Sequence, residues 1–456
     1  MKKYFLKFKK NTRGSMLLFV MIFGAISLSF IVLSVSSYGI FENRATTKKL
    51  NREMAFQIAE SGINYYRWHL AHNNTDYQDG TDHAGPYVHE YKDKDGNIVG
   101  HFSLEIPTPP NGSTIVTINS TGWLDAQPNT KRIIKVRVGF PSLTDFALVS
   151  NADVWIGNGE VIHGKMHSNN GIRFDGTADA PITSAMATYT CKSHQGCGSG
   201  QAKNGVWGQG GPESYWKFPV PSQDFSAITV KLANIKDGAQ DGGIYLSSSG
   251  QQGWHIQFVT DGTVNISKVN TTDCYKAKDV GSSKYFWPCI DLKTEGAVTS
   301  YSMPSSSYIF VEDNVWVDGV VNGRATIGTA TGKSIIINDN IIYKLKDGNH
   351  TLGLIAEQNV LIPHNSPNVL EVDAAVLAQN GAAKRYYYAG DMKDSLTIYG
   401  AIITNKIWTW SWVSGGGAIT SGYRNTNSTY DANLLYGPPP GFPVGAEYNI
   451  LSWEEI

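Results

Sequence analysis

Few side chains in this sequence of 456 residues stand at spacings that chemistry needs. Trp408, Trp410 and Trp412 alternate in "IWTWSW", so an extended strand would project all three indoles from one face. Facing outward they form an aromatic ladder that stacks on sugar rings or on another protein. Facing inward they form a bulky core stack, and the sequence leaves both open. Arg385 with Tyr386 to Tyr388 would enlarge an exposed patch. His163 and His167 share a face only if the chain stays extended, and Gly164 between them argues for corner or stacked histidines over a metal site. "GTATGKS", Gly328 to Ser334, is one residue short of a phosphate loop and is a turn. "DKDGN" at Asp93 lacks the periodic acidic ligands of a calcium loop and marks a hairpin. Asp313, Asp318 and Asp373 read as corner residues held by solvent or local turn bonds. No acid/base pair emerges, so no catalytic, cofactor-binding or metal residue is assigned and the chain reads as a non-enzyme.

Four cysteines fall in two close groups, Cys191 with Cys197 and Cys274 with Cys289. They allow three pairings, of which neighbour with neighbour is the simplest. Neither group is a CxxC, which favours disulfides over zinc, and disulfides imply an oxidising compartment.

The elements that would position these residues follow from composition and periodicity. Charged residues make up 17% of the chain and the net charge is -1, so no electrostatic case exists for a nucleic-acid partner. The 47 glycines, with abundant Trp and Tyr, favour β structure rich in turns. At the start, however, Ser15 to Phe41 carries no charge at all. As a helix it would extend roughly 40 Å, enough to cross a bilayer and too long for the apolar core of a secretory signal. Lys2, Lys3, Lys7, Lys9, Lys10 and Arg13 precede it and place the N-terminus in the cytoplasm, with everything after Glu42 outside. The helix continues through "NREMAFQIAESGINYYRWHLA", where Phe56, Ala59, Ile63, Tyr66 and Leu70 recur at steps of three and four. Small residues Ala55, Ala59 and Gly62 on a neighbouring strip would admit close approach of a helix or sheet.

In these features the chain resembles the PilX-type minor type IV pilins and pilin-like proteins. The resemblance rests on the basic leader, Gly14 directly before the apolar helix, and an "AFQxAExG" segment matched by Ala55-Phe56-Gln57 and Ala59-Glu60-Ser61-Gly62. It implies cleavage by prepilin peptidase between Gly14 and Ser15, with Ser15 becoming the methylated first residue. Major pilins carry a glutamate at the fifth mature position, where this sequence has Phe19. The charge pairing that such a glutamate offers an adjacent subunit's amine is therefore missing, which points to a rare or terminal subunit.

After the helix, "YVHEYK", "NIVGHFSLEI", "STIVTINSTGWL" and "RIIKVRVGF" form an antiparallel meander over the apolar face of residues 54 to 70. From Phe146 onward, short strand-like pieces recur between Gly/Asn/Asp corners, around Val154-Ile156, Val161-His163 and Ile172-Phe174. From Tyr308 the inward pairs read Ile309/Val311, Val315/Val317, Ala325/Ile327, Ile335/Ile337 and Ile341/Tyr343. Val360/Ile362, Leu370/Val372, Ala375/Leu377, Leu396/Ile398 and Ala401/Ile403 continue the series. Such a pattern describes a parallel β-helix, with a β-sandwich as runner-up.

The expected fold class is thus α+β: a long N-terminal pilin-like transmembrane helix with a small antiparallel sheet, followed by a mainly-β parallel β-helix, or solenoid. Its parts are a leader at 1–14, the helix at 15–72 with its membrane span at 15–41, and the meander at 73–145. The β-helix follows at 146–436, with a disulfide-containing insertion at about 181–305, and a Pro-rich tail at 437–456. The expected function is a minor pilin or pilin-like subunit, processed at Gly14 and Ser15, that displays the β-helix for adhesion, surface binding or filament initiation. Its partners would be prepilin peptidase, other pilin subunits, the membrane and surface glycans, with no cofactor. It would sit in the cytoplasmic membrane as a single-pass protein and enter a cell-surface pilus. The alternative is a membrane-anchored carbohydrate-binding or polysaccharide-degrading β-helix protein, although fold alone assigns no activity.

Overall fold

The structure is a computed structural model and describes residues 12–73, 76–110, 112–142, 144–198, 200–225, 232–304, 306–414, 418–444 and 448–456. Most of the expected leader, with its lysines, lies outside the described residues. Two compact units are present: the first takes in Met1–Pro107, Thr117–Arg137 and Leu451–Ile456, the second Thr108–Val116 and Val138–Ile450.

In the first unit, helix α1 spans Thr12–His72. It is long and apolar enough to cross a membrane. Its first half bares apolar side chains on every face, as Phe19 at 72% and Phe23 at 74% exposure illustrate. Beyond the charged stretch that follows, a single stripe is buried: Ala55, Ile58, Ala59, Ile63, Tyr66 and Leu70. This stripe lies on a five-stranded sheet ordered β1 (Tyr87–Lys92), β2 (Ile98–Glu105), β3 (Ile115–Leu124), β4 (Gln127–Gly139) and the closing strand Asn449–Glu455. The β1–β2 and β2–β3 pairs are antiparallel. Strict alternation in β3 turns Val116, Ile118, Ser120, Gly122 and Leu124 inward, the pattern of a sheet covered on one face. Two glycines set the separation. A Cβ on Gly122 would collide with the helix backbone at Ala55 and Ala59, and one on Gly62 with the side chains of Ser120 and Phe102. Phe56 is only half-buried, and Ile58 takes the inward place the sequence pattern gave it.

The second unit is mainly β and its long ladders are parallel. Its early strands are β5 (Leu148–Ser150), β6 (Val154–Ile156), β7 (Glu160–His163), β8 (Met166–Ser168), β9 (Ile172–Phe174), β10 (Thr177–Ala178) and β11 (Ile182–Ser184). One parallel ladder stacks Ile244, Ile309, Ile327, Leu354, Val376, Ile402, Leu148, Met166, Ile182 and Trp216 in register. A second stacks Trp254, Val315, Ile335, Val360 and Ala383. Their inward aliphatics, nearly all fully buried, share one continuous core. A strand of two or three inward residues cannot bury itself, so each strand depends on its ladder neighbours on either side.

The stacking order departs from the chain order. β5 opens the unit, yet it pairs with Met392–Thr404 near the far end of the sequence. Residues 181–305, expected as an insertion, supply β11, Trp216–Lys217, Ile244–Leu246 and Gly253–Phe258 to these same ladders.

A second apolar layer covers the outside of the first ladder. Helix α2 (Leu232–Gln240) brings Ile235 and Ala239, and the C-terminal region brings Leu434 and Phe442, against Ile355, Ala375, Leu377 and Ile403. Ala375/Leu377 and Ile403 therefore pack outward under this layer, while Ala374, Val376 and Ile402 fill the interior. The tail is tied down: Thr326 Oγ1 donates to the Pro440 carbonyl at 2.6 Å and Arg324 to the Gly437 carbonyl at 2.8 Å. Both disulfides join near neighbours, Cys191–Cys197 and Cys274–Cys289.

Candidate functional site

The tryptophan triplet does not lie on one strand, because only Ser411–Val413 is extended. Trp408 and Trp410 are buried in the main core, their rings edge to face at 6.2 Å. Trp412 is half-buried and its Nε1 donates to the Arg385 carbonyl at 3.0 Å. Trp408 and Trp412 nevertheless line one cleft of about 160 Å³, together with Trp155, Glu160 and His194.

The Trp155 wall is built by parallel register. In β6, Val154 and Ile156 point into the core, which leaves Trp155 outward. It lies beside Arg173 of β9, which lies in turn beside Trp207, so the guanidinium stacks between indoles at 4.1 Å and 5.2 Å. Asp175 fixes both groups, accepting from Arg173 Nε at 2.7 Å and Trp155 Nε1 at 2.8 Å. The Cys191–Cys197 loop closes over this wall. Gly196 takes a left-handed φ of 77° at the turn, Gln195 Nε2 donates to the Val154 carbonyl at 2.8 Å, and His194 Nε2 sits 2.6 Å from Asp153 Oδ2. Burial works to raise the Asp153 carboxyl, but the His194 bond and the charges of His194 and Lys192 outweigh it and hold it below the usual range.

Glu160 is the exception to the core's chemistry. Along β7 the buried positions are Glu160 and Ile162. Glu160 stands in register with Thr426, itself beside Leu396, at a level where an aliphatic would fit. It is 8% exposed, and Oε2 has no hydrogen-bond partner among the described residues. Burial pushes this carboxyl up to about 8, offset only in part by a backbone hydrogen bond at Gly157. It is therefore largely neutral at pH 7.

The remaining residues singled out from sequence do not converge on this cleft. His163 pairs with Asp179 at 2.7 Å, whereas His167 is buried between Thr183 Oγ1 and Asn169 Oδ1, both at 2.9 Å. Asp318 and Glu295 bracket His255 at 2.9 and 3.1 Å. Asp373 accepts from the Tyr343 amide at 2.9 Å and pairs with Lys346 at 3.0 Å, and Asp313 accepts from the Ser249 amide at 2.6 Å. Arg385 is fully buried and paired with Asp391, so it belongs to no exposed patch. Sequence reading missed Trp155, Glu160 and His194. The available signal was parity: Glu160 lies two residues before Ile162, on the same face of any strand through both.

No family model matches this sequence, and no curated protein does. Among solved structures, the chain is similar to the competence-associated pilin ComZ from Thermus thermophilus. The identity is 14%, over 89% of this chain and 97% of that one, with a TM-score of 0.28.

Proposed function

We propose that the chain is a minor pilin or pilin-like subunit, anchored through α1 and displaying its second unit outside the cytoplasmic membrane. The observation that carries the reading is the division of one continuous helix into two kinds of surface. From Met16 to Phe41 the apolar side chains are bare on all faces, and from Ala55 to Leu70 a single stripe is packed under an antiparallel sheet. A helix bare all round needs an apolar surrounding, and lipid tails or neighbouring helices serve equally well. Such a segment can leave the bilayer for a helical bundle without net exposure of apolar surface. Prepilin peptidase cleavage after Gly14, methylation of Ser15 and partnership with other pilin helices complete the proposal. So does a solenoidal reading of the second unit, supported by the registers of its parallel ladders. In this reading the chain catalyses no reaction, and its second unit serves attachment or filament initiation.

Intact-mass and N-terminal peptide analysis of the protein from its native membrane tests this. The expected mature chain begins at N-methylated Ser15. A chain that keeps residues 1–14 in cells with active prepilin peptidase overturns the assignment.

A further inference from the structure

We propose that the cleft between Trp155, Trp408 and Trp412 binds a small organic cation, of the quaternary or alkyl ammonium class, with Glu160 as its counter-ion. Three observations meet there. Three indoles line it, whose faces attract cations more strongly than other side chains do, and Trp155 already holds the Arg173 guanidinium on its ring. The polar groups of the lining are mostly committed within the fold. His194 is bonded to Asp153, Thr409 Oγ1 donates to the Ser411 carbonyl at 2.8 Å, Ser411 Oγ donates to the Tyr423 carbonyl at 2.5 Å, and Trp412 Nε1 is spent on Arg385. Among the buried side-chain atoms of the described lining, two lack a partner: the donor Trp408 Nε1 and the one acceptor, Glu160 Oε2.

That set of groups suits a cation better than a sugar. A saccharide is recognised by a spread of free donors and acceptors around an aromatic platform, whereas here Trp155, His194, Thr409, Ser411 and Trp412 already spend theirs within the fold. A buried carboxyl with one oxygen unpartnered is instead completed by a single positive charge, and removal of that charge leaves the acid protonated. Charged groups near Glu160 do not fill the role: His194 and Asp153 pair with each other, as do Arg173 and Asp175, and Arg424 two positions before its ladder partner Thr426 pairs with Asp394. Binding would then exchange one proton on Glu160 for one cation, the proton leaving to solvent. Because the carboxyl titrates at about 8, affinity should fall about tenfold for each pH unit below that value.

The inference is independent of the filament reading, since it concerns only the second unit's cleft. The test is isothermal titration of the full chain, in an uncharged detergent, with choline and with its uncharged carbon isostere neohexanol. The expected result is choline binding at least about tenfold tighter than the alcohol, with close to one proton released per choline at pH 7 across buffers of different ionisation enthalpy. Glu160→Gln should abolish the proton release and weaken choline at least about tenfold, and Trp412→Ala should weaken it with the circular dichroism spectrum unchanged. Absence of choline binding, equal binding of the alcohol, undiminished binding by Glu160→Gln, or a neutral disaccharide displacing choline would each overturn the proposal.

Discussion

Leu148 and Ile402 are parallel ladder partners although they lie at opposite ends of the second unit's sequence. Above Leu148 the stack continues through Met166 and Ile182, and below Ile402 through Val376 and Leu354. The chain thus enters this stack in its middle, builds toward one end, crosses over, and returns from the other end to close against the strand Leu148–Ser150. Long-range contacts of this kind carry a large loop-closure cost before they stabilise anything, so the closing pair is expected to form late.

The first prediction concerns that junction. Leu148→Ala and Ile402→Ala each remove a fully buried side chain and should each destabilise the chain by about 2–5 kcal/mol. Because the two residues are ladder partners in one core, the double variant should depart from additivity by about 0.5–3 kcal/mol. Urea denaturation of the four proteins in detergent checks this. Strict additivity would mean that the two strands are energetically separate.

A second prediction comes from the helix–sheet contact of the first unit. Gly122→Val should cost at least about 1–3 kcal/mol, because the new side chain meets helix backbone, which cannot rotate away. Gly96→Ala serves as a control of opposite kind: nothing stands near its Cβ, and its loss should reflect only the positive φ of 87°. Thermal melts that rank Gly96→Ala as the more damaging would contradict the close approach.

Much of this architecture could be read from residue order, and what could not has a physical cause. The bare helix is legible because an uncharged run of that length has few other uses, and the β pairs are legible because a two-residue period is local. Parity failed at Ala375/Leu377 and Ile403, since α2 and the tail bury the outer face as well and erase the alternation that marks a one-sided sheet. The strand order was hidden because parallel pairing across hundreds of residues leaves no local trace. The aromatic cleft was half visible. Trp408 and Trp412 do line it, but the third indole, Trp155, and the acid, Glu160, come from strands far earlier in the chain, in "VWIGNGEV", and share no motif with them.

The third prediction is a pH dependence at His255, held between Asp318 and Glu295. Burial works against the imidazolium, but the bonds and charges of the two carboxylates outweigh it and raise its pKa. A raised folded-state value contributes stability that is complete below the unfolded value of about 6.5 and is lost as pH rises through the folded one. Asp318 is lowered, burial being outweighed by the His255 bond, so its contribution holds above about 4 and fades in more acid solution. Urea midpoints should therefore favour pH 5.5 over pH 8.5, and His255→Gln should shrink that difference. An unchanged difference would remove His255 from the account.

The fourth prediction concerns the Cys191–Cys197 loop. In a chain-entropy picture, closing so short a loop is worth about 2 kcal/mol, and here the loop also holds His194 against Asp153. Cys191→Ser with Cys197→Ser should lower stability by about that amount. His194→Ala in the disulfide-intact chain should let the Asp153 carboxyl rise, because burial is then opposed only by the Lys192 charge and a backbone hydrogen bond. Carboxyl titration by infrared spectroscopy would report the rise, and an unmoved Asp153 would show that other groups hold it down.

The last prediction separates the acid of the cleft from the rest of the core. Glu160 titrates at about 8 in the folded chain and near 4.3 when unfolded. Below the lower value both states hold the proton and the group costs nothing extra. Between the two values the unfolded chain releases its proton while the folded chain keeps it, so stability falls steadily as pH rises and levels off above 8. At about 1.4 kcal/mol per unit, the accumulated loss is on the order of a few kcal/mol. Glu160→Gln keeps the shape and cannot ionise, so it should match the wild type at pH 4 and exceed it by that amount at pH 8.5. Parallel urea curves for the two proteins across this range would mean that the carboxyl reaches a partner or water in the folded chain, and the cleft would lose the unpaired acid on which cation binding depends.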